Sequence, residues 1–325
     1  MRKALIVGIN FYKSGSIKNL SGCVNDATRV ARVLKRNADD SVNFECNLCL
    51  ASDRCSSISS NELRDSIRFL FAGDDEIALL YFSGHGYCDS VGGYLISSDS
   101  LTGSDSVTLN EVITLANQSK CKNKIIILDC CCSGVAAENP ISGVSEIKEG
   151  VVILTACTKM QSAIEEDGAG IFTSLLVDAL NGSAANLIGN VTPGSVYAYI
   201  DQSLGAWEQR PVFKANVKNF VSLRKTQPTI SLDDLHKLVS LFPTSNYEYP
   251  LNPTYEPEMK GRSEGMPGPI LENTRKFAIL QKYNRVNLLV PVGAPHMWHA
   301  AMESKSCRLT ALGRFYHMLV QKGRI

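Results

Sequence analysis

Across the first 225 residues, short and largely apolar runs alternate with segments in which apolar residues return every three or four positions. The runs are KALIVGINFY (3–12), ECNLCLAS (45–52), EIALLYFSGHG (76–86), NKIIILDCC (123–131) and GVVILTACT (150–158). A strand that is apolar on both faces needs cover on both, and intervening helices provide it. The alternation therefore specifies an α/β sandwich with a mainly parallel central sheet flanked by helices. The first expected helix spans 23–36, where Ala27, Val30, Ala31 and Leu34 fall on one face. Others are expected over 59–73, 108–118, 170–182 and 192–204, with RPVFKAN (210–216) as a last strand. In such sheets, ligands bind beyond the carboxyl ends of the strands. Two of those ends hold reactive residues: SGHG at 83–86 and DCCCSG at 129–134.

Composition narrows the partners. Apolar residues make up 44% of the 325 and charged residues 20%, enough for a sizeable core. The net charge of +1 excludes a global pull toward nucleic acid or an anionic membrane. No run approaches the roughly 18 apolar residues of a membrane span. MRKALIVGINFYKSG opens like a secretory leader, but the apolar stretch is short, lacks a small-residue cleavage site and meets polar Asn10. It reads as a first strand, and the expected location is cytoplasmic. Eleven cysteines, an odd number, fit free thiols in a reducing compartment better than a disulfide framework.

Composition shifts after about residue 225. Nine of the twelve prolines lie in the last hundred residues, and the segment FPTSNYEYPLNPTYEPEMKGRSEGMPGP (242–269) is too proline-rich for core strands or helices. The expected division is a domain over 1–225 and a smaller, mostly helical module over 226–325, reached through this segment as a linker or extended arm. Within the module, 276–293 reads as a helix or strand followed by a strand, and 296–325 as two helices with a short turn.

A thiol becomes a useful nucleophile when a base or positive charge favours its thiolate. Of the five histidines, His85 alone lies in the α/β region, between two glycines at a strand end. Side chains alternate along a strand, so Asp129 and Cys131 share one face, and Cys130 and Cys132 take the other or leave the strand. Ser83 and His85 likewise share a face. Adjacent strand ends would then present Ser83, His85, Asp129 and Cys131 to one cleft. Cys46 and Cys49 form a C-x-x-C on a strand, where they point to opposite faces with no second pair at zinc spacing, so no metal or redox role is expected.

The SGHG and D-x-C pair, 46 residues from histidine to cysteine, resembles the caspase-like cysteine peptidases, in which the histidine lies about 50 residues upstream of the cysteine. The Asp-Cys-Cys-x-Ser-Gly form resembles the metacaspase and bacterial caspase-like branch (clan CD, peptidase C14-like). LSGCVNDA (20–27) and VVILTACTKMQSAIEE with GIFTSLLVDAL (151–166 and 170–180) are similar to further segments of that branch, so the likeness covers residues 1–225.

This resemblance implies Cys131 as nucleophile and His85 as general base and acid. It makes the backbone N–H groups of Gly86 and Cys131 the oxyanion donors. Cys23, Asp26, Ser83 and Asp129 would line the pocket for the residue before the cut; Cys23 and Asp26 are three apart on a helix and can face one pocket. Two carboxylates in a cleft call for a cation, so cleavage after Arg or Lys is expected, on protein substrates that expose them. The branch often has His after the nucleophile; here it is Cys132. Lys148, in the stretch 134–149, offers a processing site that the chemistry does not require. Some members need calcium. Asp99, Asp105 and Glu138 match no complete calcium loop, so no cofactor is expected for the chemistry. A non-catalytic caspase-like scaffold that binds a partner is the competing expectation.

The last fifty residues resemble the C-terminal module of bacterial caspase-like proteins in Thoeris-type anti-phage defence, which are encoded beside TIR-domain proteins. That resemblance implies an activating nucleotide signal, such as a relative of cyclic ADP-ribose made by a TIR-domain protein. His296, Trp298, His299, Arg314 and Tyr316 are the candidate ligand contacts, since guanidinium, imidazole and aromatic groups suit a phosphate and a base. Core packing is the alternative for Trp298 and Tyr316, and a substrate-recruiting or dimerising domain is the alternative for the module.

Overall fold

The apolar alternation becomes a layered structure in the computed structural model, which describes residues 1–90, 92–130, 147–156, 165–166, 169–204 and 210–325. Cys131, Cys132 and Glu138 lie outside the described residues. Two compact units are formed, one by residues 1–185 and 189–227, the other by 186–188 and 228–325.

In the first unit the chain runs through β1 (Arg2–Ile9), α1 (Cys23–Lys35), β2 (Glu45–Ala51), α2 (Ser60–Phe71) and β3 (Ile77–Ser83). A small antiparallel sheet follows, made of β4 (Gly86–Cys88), β5 (Gly93–Leu95) and β6 (Val107–Thr108). Next come α3 (Leu109–Gln118), β7 (Asn123–Asp129), β8 (Val151–Thr155), β9 (Glu165–Glu166), β10 (Ala169–Gly170) and α4 (Ile171–Asp178). The unit closes with β11 (Asn190–Val191), α5 (Pro193–Ser203), β12 (Val212–Asn216) and β13 (Arg224–Lys225). Six strands build the central sheet in the order β12-β8-β7-β3-β1-β2. All pairings in it are parallel except that of β12 with β8.

Residue parity decides which helices each face meets. Leu5, Val7, Leu80, Phe82, Ile126 and Leu128 pack with Leu63 and Ile67 of α2 and Val112 and Ala116 of α3. Ile6, Leu79, Tyr81, Ile125 and Ile127 pack with Val30 and Leu34 of α1, Phe172 and Leu176 of α4, and Val196 of α5. Each fully buried side chain of this kind stabilises by about 1.5–3 kcal/mol. Local signals set the helix starts. Ser59 and Glu62 form a reciprocal cap on α2, and Thr192 caps α5 ahead of Pro193 in its first turn.

The second unit contains α6 (Leu232–His236), α7 (Leu238–Leu241), β14 (Glu248–Pro250), α8 (Leu271–Arg285), β15 (Leu289–Val292), α9 (Met297–Met302), β16 (Ser306–Leu309) and α10 (Ala311–Gln321). Its helices surround an antiparallel sheet ordered β14-β16-β15. The proline-rich segment, expected as a linker or an extended arm, contributes side chains to this unit. Tyr249, Leu251 and Tyr255 are buried in the core of this unit. Pro250 is tolerated because it ends an edge strand, and Pro253 because it opens a short 3₁₀ turn capped by Asn252. The expectation of two helices over 296–325 omits β16, whose alternation of buried Cys307 and Leu309 with outward Ser306 and Arg308 spans only four residues. Among the described residues, no helix is long and apolar enough to cross a membrane.

Candidate active site

Gly8, Ser83 and Asp129 stand in register at the carboxyl ends of β1, β3 and β7. The start of α1 crosses directly over them. A Cβ on Gly8 would lie 2.5 Å from the carbonyl oxygen of Cys23 and 2.8 Å from the Cβ of Ala27, so glycine is what lets the helix approach. That approach brings buried Cys23 and Asp26 onto the same sheet face as Ser83 and Asp129.

The two acids meet at the start of α4. The Gly170 N–H donates to Asp26 Oδ2 at 2.9 Å, and the Thr173 hydroxyl donates to Asp129 Oδ2 at 2.6 Å. A Cβ on Gly170 would fall 2.7 Å from Asp129 Oδ2 and 3.2 Å from Asp26 Oδ2, so both carboxylates crowd one point where no side chain fits. Asp26 is 2% exposed and Asp129 6%. Beneath them, the Tyr81 hydroxyl lies 2.5 Å from Thr173 Oγ1. Burial, then the charges of Asp129 and Asp26, push the Tyr81 phenol well above its ordinary value, so it stays protonated. At the rim, Arg29 Nη1 lies 3.6 Å from Asp26 Oδ1 and donates to Ser174 Oγ at 3.1 Å.

His85 is held differently. Strand β3 ends at Ser83, so strand alternation no longer sets the direction of His85, and the expectation that it shares a face with Ser83 by parity lapses there. Its backbone N–H donates to the Tyr12 hydroxyl at 2.8 Å, and the Tyr12 hydroxyl donates to the Ile9 carbonyl at 3.2 Å. The Tyr12 and His85 rings pack with centroids 4.9 Å apart. Nε2 lies 2.7 Å from the Lys18 carbonyl oxygen. A carbonyl can only accept, so Nε2 holds the proton of the neutral ring and Nδ1 is left as the basic nitrogen. The half-buried ring is thereby fixed in tautomer as well as in place. Gly86 follows as the first residue of β4.

Of the adjacent cysteines, Cys130 is buried with Phe82, Leu128 and Tyr12 in the cluster on the α2–α3 face, opposite the pocket. Cys131, the expected nucleophile and oxyanion donor, lies outside the described residues, as does Cys132. Cys46 and Cys49 are half-buried on β2, and burial pushes the Cys46 thiol up to about 11. Asp99 accepts from the Ser60 N–H and the Ser97 hydroxyl, and Asp105 from the Leu101 N–H, so Asp99 ties its loop to the start of α2 and Asp105 braces its own loop. Among the described residues, no cluster of histidine, cysteine and carboxylate could hold a metal ion.

The five candidate contacts in the second unit do not form one cluster. His296 immediately precedes α9 without a side-chain capping bond, and Trp298 and His299 lie on the helix. The histidine rings are 5.8 Å apart, and Trp298 stands edge-on to His299 at 5.0 Å. Tyr316 is a core residue. Arg314 instead lines a cavity of about 520 Å³ with Arg308, Ser245, Asn246 and Glu248.

Tyr12, the Lys18 carbonyl, Tyr81, Gly170 and Thr173 were not foreseen as site residues. Tyr81 and Thr173 did leave a signal. Each is a hydroxyl inside a largely apolar run, IALLYFS and GIFTSLL, and a buried hydroxyl needs a partner. A backbone carbonyl leaves no such trace.

The peptidase C14 family, described as the caspase domain, matches residues 1–237. The crystal structure of caspase-1 from Spodoptera frugiperda is similar with a TM-score of 0.51 at 15% identity, over 70% of this chain and 91% of that one. A Geobacter sulfurreducens protein is similar with a TM-score of 0.50 at 14% identity, over 70% of this chain and 98% of that one. At such identities the likeness is one of fold. Among curated protein sequences, none matches.

Proposed function

The chain belongs to the caspase-domain peptidase family, and on that premise we propose that it is a cysteine endopeptidase that cuts after arginine or lysine, with Cys131 as nucleophile and His85 as its base. The observation that carries the reading is the pair of buried carboxylates, Asp26 and Asp129, held at the strand ends close to where His85 leaves β3. Two like charges in one buried site call for more than the one cation at the rim, where Arg29 lies 3.6 Å from Asp26, and a guanidinium or ammonium group of a substrate supplies the second. Cys23 and Ser83 complete the walls. An acidic substrate side chain would add a third negative charge and is excluded.

In this reading His85 Nδ1 takes the thiol proton of Cys131 as the sulfur attacks the carbonyl carbon of the scissile bond. The Lys18 carbonyl supports the imidazolium that forms, since it already accepts from Nε2. The backbone N–H groups of Gly86 and Cys131 receive the developing oxyanion. His85 returns the proton to the departing amine, and water then releases the acyl group from sulfur by the reverse sequence. No cofactor takes part in these steps.

We also propose that cutting is held in check until a small nucleotide, such as a cyclic ADP-ribose relative from a TIR-domain protein, binds the second unit, as part of a bacterial anti-phage response. The cavity lined by Arg308 and Arg314 supports a phosphate-bearing ligand. Among the described residues, neither guanidinium has a carboxylate within ion-pair distance, and 520 Å³ is within the range of small-molecule sites. The test is a set of fluorogenic peptides ending in Arg, Lys, Asp or Leu, assayed with and without candidate nucleotides. Cleavage after Arg and Lys that disappears in Cys131→Ala is expected. A wild-type chain that cuts none of them under any nucleotide, and matches Cys131→Ala in cells, would be a caspase-like scaffold instead.

A further inference from the structure

We infer that Thr173 and Tyr81 are positioning residues that set the specificity of the acidic pocket by fixing Asp129, without touching the substrate; this rests on the reading that the pocket takes a basic side chain. The hydroxyl of Thr173 has one proton, and it is directed to Asp129 Oδ2 at 2.6 Å. Thr173 Oγ1 must then accept at its 2.5 Å contact with Tyr81, and the phenol is the donor. The direction of both protons follows: Tyr81 to Thr173, Thr173 to Asp129. Tyr81 is fully buried and keeps its proton, so the relay does not reverse as pH changes.

Asp26 receives its counterpart from the same segment. The Gly170 N–H, three residues before Thr173, donates to Asp26 Oδ2. The start of α4 therefore supplies one fixed donor to each acid, a backbone N–H to Asp26 and a hydroxyl to Asp129. A donor to the charged form keeps a carboxylate ionised against burial and against its neighbour. It also fixes the carboxylate plane. A cation entering the pocket meets two oriented carboxyl groups. Thr173 and Tyr81 lie below the carboxylates, on the side of Asp129 that faces the core formed by Phe172 and Leu176.

Valine has the shape of threonine without the proton, so Thr173→Val cuts both links at nearly constant volume. Serine keeps them. The experiment compares wild type, Thr173→Val, Thr173→Ser and Tyr81→Phe on peptides ending in Arg, and measures agmatine as a competitive inhibitor. A hydrogen bond to a charged group is worth enough that Thr173→Val should raise KM and the agmatine inhibition constant about tenfold or more, with kcat within about twofold. Thr173→Ser should restore both. Tyr81→Phe leaves the Thr173 bond in place, and should raise KM about two- to threefold. A Thr173→Val chain with unchanged KM, or a loss confined to kcat that serine does not repair, overturns the inference. If Thr173→Val does not fold, Tyr81→Phe decides in a Ser83→Ala background, where the other partner of the phenol is gone: unchanged KM overturns it, and a two- to threefold rise supports it. A wild type that cuts best after Asp or a neutral residue overturns the basic-pocket reading together with this one. A wild type that prefers Arg, with Thr173→Val equal to it, overturns this inference alone.

Discussion

The acidic pocket and His85 share the carboxyl end of one sheet, yet they are held by opposite means. In the pocket, one oxygen of each acid is fixed by a buried donor, the Thr173 hydroxyl on Asp129 and the Gly170 N–H on Asp26, with Tyr81 under Thr173. His85 is half-exposed, and its ring is tied to a backbone carbonyl in the loop between β1 and α1. The pocket thus depends on the identity of particular side chains, and His85 depends on the shape of a loop. A binding site for a charged group gains from low dielectric and preset orientation. A proton carrier must reach both sulfur and substrate, and gains from a fixed tautomer with one nitrogen exposed.

The sharpest separation of the two comes from their largest effects. His85→Ala should lower kcat by about a thousandfold with KM for Arg peptides nearly unchanged, measured by steady-state cleavage. Asp129→Asn should do the reverse. It keeps the volume and an acceptor for Thr173 but removes a buried charge facing the substrate cation. An increase in KM of about a hundredfold is expected, and the preference for Arg over Leu should fall by a similar factor. A kcat defect in Asp129→Asn as large as that of His85→Ala would merge the two regions into one and break the comparison.

Tyr12→Phe probes the boundary between the two mechanisms. The phenylalanine ring still packs on His85, but the backbone N–H of His85 loses its acceptor. The expected loss is about three- to tenfold in kcat, with unchanged KM and unchanged agmatine binding. A loss in KM instead would place Tyr12 with the pocket.

The sequence exposes the pocket far better than the support of His85. The runs IALLYFS and NKIIILD are apolar enough to be strands in any α/β arrangement, and both are. Strand alternation then puts Ser83 and Asp129 in register on one face, where the structure has them. Cys23 and Asp26 come with the resemblance of LSGCVNDA and their spacing of three on a helix, whereas the glycine that lets this helix approach, Gly8, shows only in the structure. Alternation stops where the strands stop, so it says nothing of His85 or of residues beyond Asp129. The hydrogen bond that fixes the His85 tautomer goes to a backbone atom of Lys18, and every residue has that atom. Thr173 shows in the sequence only as a hydroxyl that needs a partner, and Asp129 of β7 is that partner only once α4 is in place. In the second unit the obstacle is length. Strands β14 and β16 have three and four residues, too few for alternation to register, and prolines next to β14 suggest an unpaired segment.

The smallest predicted effects test whether loop shape really carries His85. The loop is pinned by asparagines rather than by lysine. Asn19 Oδ1 accepts from the Tyr12 N–H at 2.8 Å, and Asn10 Nδ2 donates to the Ser21 carbonyl at 3.1 Å. The Asn10 carbonyl accepts from the Leu20 N–H at 2.9 Å. Asn19→Ala should therefore loosen both Tyr12 and the Lys18 carbonyl, and lower kcat about threefold. Lys18→Ala removes an exposed side chain but leaves its carbonyl where it is, so kcat and KM should stay within about twofold of wild type. Cleavage of an Arg peptide by the two variants, measured side by side, checks the order. If Lys18→Ala costs more than Asn19→Ala, the charge of the lysine matters and not the carbonyl it carries, and the contrast between a pocket made of side chains and a base held by backbone fails at its second half.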